Sequence, residues 1–467
     1  MSQVEIREEV QISNWKLFRD IFPASLASQL VFMSIGVVNA LMAAAVSLSA
    51  MAAIGMIGSV FWSFNSLAFG LLSIVLAKMS FAFGNKNYSQ VGVIHRQTYY
   101  LIAIMSVIII ALDLIIAMNL HLFHMSNEVI EIAQPYMILS CINVPLTLFM
   151  MHLRNINACV GYTLPTFIVS ILGLLAIVPL NVYFMKEELP FFGQTPANSA
   201  FTHIIINLLY IASLLVIFRF KRKIYFKLEL FKVVFEAPNW KFIKETFKVG
   251  TPVALQFWLE NSFFALVVLL VAHLGTSVLG AHEAAMSTYS VAYAIAISSS
   301  GTITSIVSRR LGEKRLDLAK KLFNNVILFL VFFNLVTGVL VIYFRELIAW
   351  EFVTDDNVAL HITKNLLIFL AIANFFDAIY ASFLGYLVSF RDSRFVFIVA
   401  IVVSWVLGIP IASIFALTPW FNFGIYAYWT AFIFIPLIAL TICYFRLKLK
   451  WYRMDENLLY QNLAKNS

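Results

Sequence analysis

The sequence predicts an all-α polytopic membrane protein of about twelve transmembrane helices, in two six-helix lobes related by a pseudo-twofold axis along the membrane normal. Three observations predict it. Of 467 residues, 61% are hydrophobic, 15% aromatic and 12% charged, and the mean hydropathy is +0.89; a soluble domain carries roughly a quarter charged residues. Apolar runs are longer than a soluble core can bury: no formal charge occurs between Asp20 and Lys78, between Arg154 and Lys186, or between Arg394 and Arg446. Short motifs also recur at an offset of roughly 230 residues.

Residues 1–14 are polar and mixed in charge, without the basic stretch, short apolar core and small-residue cleavage site of a signal peptide, so the first apolar run is expected to be a retained span. A requirement of about 20 apolar residues per crossing gives spans centred near Gly36, Ser66, Met105, Cys141, Gly173 and Leu208. A second set follows at Phe264, Ala294, Phe332, Phe375, Val403 and Ile433. Pro23, Pro135, Pro145, Pro179, Pro252 and Pro410 fall within or at the ends of these spans, where a membrane bundle tolerates kinks if neighbours satisfy the freed backbone groups. The sets imply an N-lobe over 15–223, a basic linker over 224–240, a C-lobe over 241–450 and a tail over 451–467.

The repeat is read from punctuation. Phe22-Pro23 opens the first span and Thr251-Pro252 the seventh. Phe83-Gly84-Asn85-Lys86 closes the second span and Leu311-Gly312-Glu313-Lys314 the eighth, while Pro179 in the fifth matches Pro410 in the eleventh. Six spans per lobe is an even number, so both lobes cross in the same sense, with a cleft between them.

Charge gives the orientation. With a cytoplasmic N-terminus, Lys86, Arg96, Arg154, the stretch from Arg219 to Lys248, Arg309, Arg310, Lys314, Arg315, Arg391, Arg394 and the stretch from Arg446 to Arg453 all fall on the cytoplasmic side. The outer side holds chiefly Lys186, Arg345 and Lys364. The positive-inside rule therefore predicts cytoplasmic termini in an inner membrane, and the net charge of +8 is read as contact with anionic lipid rather than nucleic acid. Cys141, Cys159 and Cys443 lie in apolar runs without metal-ligand spacing and are expected to be buried hydrophobes. No Gly-x-Ser-x-Gly elbow or His-Glu helix motif is present, so neither an intramembrane enzyme nor a cofactor is expected.

Function is read from stranded charges. Glu260 is the only formal charge between Lys248 and Glu283, and Asp377 the only one between Lys364 and Arg391. A carboxylate at bilayer depth costs several kcal/mol unless a proton, cation or hydrogen bonds compensate it, and such groups mark ion pathways. Gln256 is one turn before Glu260 and Asn261 next to it; Asn374 and Tyr380 flank Asp377 by about a turn. Glu283 is the third candidate for cation coupling, near the outer end of the eighth span. Asp113 reads as interfacial, and His273 and His282 as surface or capping groups around an outer turn. Hard oxygen ligands suit Na⁺ and H⁺ alike, so both stay open. Phe257, Trp258, Tyr289 and Tyr293 are aromatic candidates for contact with cationic cargo.

Taken together, Pro23 to Lys86 with Ala52-Ala53-Ile54-Gly55, then Gly250-Thr251-Pro252-Val253, Leu274-Gly275-Thr276, Ala281-His282-Glu283-Ala284 and Arg310-Leu311-Gly312-Glu313 resemble the multidrug and toxic compound extrusion (MATE) transporters. Leu259-Glu260-Asn261 and Phe376-Asp377-Ala378 are most similar to the acidic positions of the bacterial NorM branch. The resemblance implies a monomeric antiporter that expels amphipathic, cationic small molecules against Na⁺ or H⁺. The N-lobe departs from that pattern: Asn39 stands where the family carries an aspartate, and Ala176 where it carries an asparagine, although Asn181 is kept. Coupling is therefore expected in the C-lobe, with Gln29, Asn39, Asn65, Asn143 and Asn181 giving neutral hydrogen bonds. Ala373 removes a tyrosine that some relatives carry one turn before the aspartate. The alternative is export of a lipid-linked or polysaccharide intermediate, which needs Arg or Lys in the cavity for phosphate.

Overall fold

A computed structural model describes residues 13–123, 127–186, 193–220, 225–231, 236–352, 356–418, 421, 423–453, 459–460 and 463. Most of the N-terminal segment and parts of the predicted linker and tail lie outside these residues.

In the first half, apolar runs form α1 (Asn14–Ala44), α2 (Leu48–Gly84), α3 (Tyr88–Met118), α4 (Asn127–Val160), α5 (Leu164–Lys186) and α6 (Ser199–Phe220). The second half supplies α7 (Trp240–Ala272), α8 (Thr276–Gly312), α9 (Leu316–Tyr343), the short α10 (Arg345–Phe352) and α11 (Asn357–Ser389). It ends with α12 (Ser393–Leu417) and α13 (Ile425–Arg453). Among the described residues 11 helices are long and apolar enough to cross a membrane, and α1, at 31 residues, is the twelfth long helix.

Polar side chains begin several of these helices. Ser47 accepts from the N–H of Ala50 ahead of α2, Asn87 from that of Gln90 ahead of α3, and Asn239 from that of Phe242 ahead of α7. Each satisfies a backbone donor that the helix leaves unpaired. At the start of α11 the hydroxyl of Ser277 and the N–H groups of Ala359 and Val358 hold the Asp356 carboxyl below its ordinary range, which ties α11 to the beginning of α8.

The repeat is visible in the backbone. After α2, Lys86 turns left-handed at φ 60°, and its counterpart after α8, Lys314, does so at φ 56°. The closing bonds correspond as well: Asn87 N–H to Ala82 carbonyl at 3.0 Å and Arg315 N–H to Arg310 carbonyl at 2.9 Å. Gly161 after α4 (φ 81°) and Arg391 after α11 (φ 56°) form a second such pair. Pro179 and Pro410 are less alike. Pro179 lies inside an unbroken α5, whereas Pro410 follows a π-helical stretch, Ile401–Gly408, in the middle of α12.

The first helix of each lobe reaches across to the other lobe's core at one end. Leu17, Phe18, Ile21 and Phe22 of α1 belong to a core built mainly from α8, α9 and α11, with the Phe18 ring 5.2 Å from that of Phe329 on α9. Conversely Phe242 and Ile243 of α7 belong to the N-lobe core. Both contacts lie at the end of the bundle where α2 and α8 finish. There a Cβ on Gly84 would stand 2.0 Å from the Arg309 carbonyl oxygen, and one on Gly312 would stand 2.0 Å from that of Phe81. Only glycine permits this reciprocal approach.

Candidate functional site

Two cavities open inside the bundle. The smaller, about 50 Å³, is lined by Glu260 of α7, Tyr289 and Tyr293 of α8, Asp377 and Tyr380 of α11, and Ser404 in the π-helical part of α12. It has room for a few water-sized groups or one cation. The Tyr289 hydroxyl donates to Oδ2 of Asp377, and the Tyr380 hydroxyl donates to Oε1 of Glu260 at 3.3 Å. Two carboxylates thus face one chamber, each held by a phenol from another helix. Trp405, in the π-helical turns, donates its indole N–H to the Leu259 carbonyl at 3.1 Å, fixing α12 against the residue before Glu260. Among the described residues no group of three His, Cys, Asp or Glu side chains is placed to hold a metal. The oxygen donors of this chamber suit a proton or a hard monovalent cation instead.

The larger cavity, about 640 Å³, lies between the lobes. Its N-lobe wall carries Asn39, Tyr136, Asn143, Arg154, His203 and Tyr210, and α8 contributes Glu283 and Ser287 from the C-lobe. Asn181 Nδ2 donates to Asn39 Oδ1 at 2.9 Å, Asn39 Nδ2 to the Tyr136 hydroxyl at 3.4 Å, and Asn207 Nδ2 to Asn143 Oδ1 at 2.8 Å. The N-lobe wall is mostly apolar, with Phe32, Phe61, Trp62 and Met150 between these polar groups, and among the described residues Arg154 is the one formal charge on that side.

The MatE family model matches residues 23–183 and 252–414. The chain belongs to the MatE family. It is 28% identical over 469 residues to the probable multidrug resistance protein NorM of Mannheimia succiniciproducens, covering 98% of each chain. It is 29% identical over 427 residues to the multidrug resistance protein NorM of Aliivibrio fischeri, covering 90% of each. The fold is that of the eukaryotic MATE transporter AtDTX14, with TM-score 0.85 at 18% identity over 97% of this chain and 98% of that one. A multidrug resistance MATE family transporter of the MOP superfamily, solved in an outward-facing conformation, gives TM-score 0.83 at 15% identity over 96% and 97%.

Within this MatE fold the predicted residues separate. Glu260, Asp377 and Tyr380 come together, while Glu283 stands apart from them in the large cavity. Tyr289 and Tyr293, expected against cargo, line the carboxylate chamber instead, because their face of α8 turns toward α7 and α11. Phe257 packs on Ile74, Val253 and Val388, and neither it nor Trp258 lines a cavity. Gln256 is buried. Asn261 donates back to the Phe257 carbonyl of its own helix, and Asn374 donates to Asn334 of α9 at 3.3 Å, so neither reaches the chamber.

Other expectations are corrected by burial. Asp113 is 1% exposed, its face of α3 packed on α4 five residues before α3 ends at Met118. His282 is fully buried and accepts from Trp429 Nε1 at 3.1 Å, while His273 is exposed at the end of α7 as expected. Asn65 bonds the Phe61 carbonyl, and Ala373 is a core residue. Tyr136, Asn207 and His203 also line the large cavity, and each is a single polar group in an apolar run that no sequence pattern singles out. Arg154 had been counted only as a cytoplasmic charge, yet its position one helical turn from Met150 and two from Thr147, both on the cavity wall, marks that face of α4.

Proposed function

We propose that this chain is a cation-coupled antiporter that exports amphipathic, cationic compounds by alternating access, with Na⁺ or H⁺ taken up between Glu260 and Asp377. One observation carries the reading: two membrane-depth carboxylates face a single chamber, each with a phenol donor. Such a pair repels when both are ionised, and a proton or Na⁺ between them removes that repulsion. Ion uptake therefore changes the packing energy of α7, α8 and α11 together. The same α8 carries Glu283 and Ser287 into the large cavity, so ion and cargo act on one helix.

The basic residues at the Gly84/Gly312 end support a reading in which that end faces the cytoplasm at a bacterial inner membrane and the large cavity faces outward. Lobes over 15–223 and 241–450, joined by 224–240, are in keeping with family segments 23–183 and 252–414. The protein works as a monomer among lipids. A second reading, export of a lipid-linked or polysaccharide intermediate, has Arg154 in its favour. A single guanidinium is a poor match for a pyrophosphate, which is better held by several cations.

The test is export from proteoliposomes under an imposed Na⁺ or H⁺ gradient. Glu260→Gln and Asp377→Asn are each expected to cut ion-driven export at least about tenfold, the equivalent of about 1.4 kcal/mol in coupling. Wild-type rates in both variants would remove the chamber from the mechanism.

A further inference from the structure

The closed end of the large cavity carries the Arg154 guanidinium and, among the described residues, no anion. Arg154 lies one turn before Ala158, whose carbonyl accepts from the Ser305 hydroxyl at 2.7 Å where the lobes meet, so its guanidinium sits just above the floor. Nη2 of Arg154 donates to Oε1 of Gln29 at 3.2 Å, and no carboxylate pairs with it among the described residues. Glu283, the other formal charge on the cavity wall, lies about 33 Å along α8 from the Ser305 contact at 1.5 Å per residue. That is several Debye lengths away in saline and too far to neutralise Arg154. Gln29 is 3% exposed and its Nε2 has no acceptor.

A guanidinium has five N–H groups in a planar fork that matches two oxygens of an anion. Partly exposed on the cavity wall, with a neutral amide as its partner, it has N–H groups left for an anion in the cavity. An arriving anionic group would give the guanidinium the charge partner that the described residues do not supply.

We infer that the closed end of the large cavity is a subsite for an anionic group, a carboxylate or sulfonate, carried by the amphipathic cargo. The cargo range then extends from cations to zwitterions. This rests on the export reading, and its test separates the two. A fluorescent xanthene dye is supplied as its free carboxylic acid and as its ethyl ester to phosphatidylcholine proteoliposomes holding the full chain. The readout is the ratio of acid export to ester export.

Arg154→Gln is expected to lower that ratio at least about tenfold, the scale of a lost charge-assisted bidentate contact. An equal loss of both dyes would make Arg154 structural and overturn the inference, as would an unchanged ratio. If thermal melting shows the glutamine variant unfolded, Arg154→Lys is read instead. It keeps the charge without the fork and is expected to lower the ratio about threefold; an unchanged ratio again overturns the proposal. Should the wild type export neither dye under either gradient, the antiport reading fails. Equilibrium binding of the acid dye then decides the subsite: weaker binding in Arg154→Gln supports it and equal binding overturns it. Displacement of bound acid dye by phosphatidylglycerol added to the vesicles, with no acid export, would assign the subsite to a lipid headgroup and overturn the cargo assignment.

Discussion

Tyr289 and Tyr380 are both phenols bonded to a carboxylate, yet they are not equivalent. The Tyr289 hydroxyl is in close contact with Asp377, whereas Tyr380 reaches Glu260 at 3.3 Å, near the limit of a useful O–H···O bond. Hydrogen bonds to charged groups contribute roughly 1.5–3 kcal/mol and long ones much less. Tyr289→Phe is therefore expected to raise the ion concentration for half-maximal export about tenfold, and Tyr380→Phe about threefold or less. Ion titration of export in the two variants checks the order, and a larger effect at Tyr380 would refute it. Glu260 and Asp377 were legible because a lone charge in an apolar run has no bland partner nearby in sequence. Tyr289 was not, since its meaning depends on the approach of two helices 88 residues apart, and the chain has 18 tyrosines. Glu283 reads like Glu260 in sequence, but periodicity alone does not tell which side of α8 meets which cavity.

Helices α2 and α8 meet at their ends through two glycines that the repeat had aligned. A methyl on either would meet a backbone carbonyl at 2.0 Å, and backbone oxygen cannot swing aside as a flexible side chain can. Overpacking of this kind costs about 1–3 kcal/mol or more, so Gly84→Ala and Gly312→Ala are each expected to lower the melting temperature by several degrees. Gly301→Ala, on the same α8 with nothing within 4 Å of its added Cβ, is the control. Melting curves of the three purified variants test it, and a Gly84→Ala curve lying on that of Gly301→Ala would mean the crossing is looser than described. The repeat and the helix ends were readable from Gly-Asn-Lys and Gly-Glu-Lys because polar and charged residues break the apolar runs there, although the left-handed positions themselves fall on Lys86 and Lys314. Equivalence in a repeat does not imply contact, so the facing of the two glycines emerged only from the packing. The π-helical turns before Pro410 were likewise hidden: Pro179 and Pro410 carry the same local signal, and what differs is the packing of α12, where Gly408 lies against Ile435 of α13.

At the scale of the whole chain, the proposed alternating access would require the Gly84/Gly312 end to open, and the stretch leading into α7 is bonded so as to oppose it. Arg96 on α3 donates to Glu236 Oε1 at 2.6 and 3.0 Å and to the Glu229 carbonyl at 3.0 Å. Gln97 bonds the Ala237 carbonyl and the Asn239 N–H, and Tyr100 the Glu236 carbonyl. Beyond them Lys78 of α2 donates to Thr246 of α7 at 3.1 Å and stands 4.5 Å from the Phe242 ring. Lysine and arginine counts predict a basic end for the bundle, but not this clasp. Its charges look like any solvated basic surface until α3 and the linker are brought together. The ion pair is half-sheltered, with side-chain exposures of 8% and 26%, so its loss is worth less than the 3–5 kcal/mol of a fully buried pair; about 1–2 kcal/mol is the appropriate scale. Two states of a transporter differ by only a few kcal/mol, and a change of that size moves their ratio about five- to thirtyfold. Arg96→Ala and Glu236→Ala are each expected to shift the population toward opening at the Gly84/Gly312 end, and the double variant to shift it no further than either alone. Spin labels on the last turns of α2 and α8, read as a distance distribution, measure that shift. A distribution identical to wild type in both single variants would mean that the clasp anchors the linker without opposing the opening.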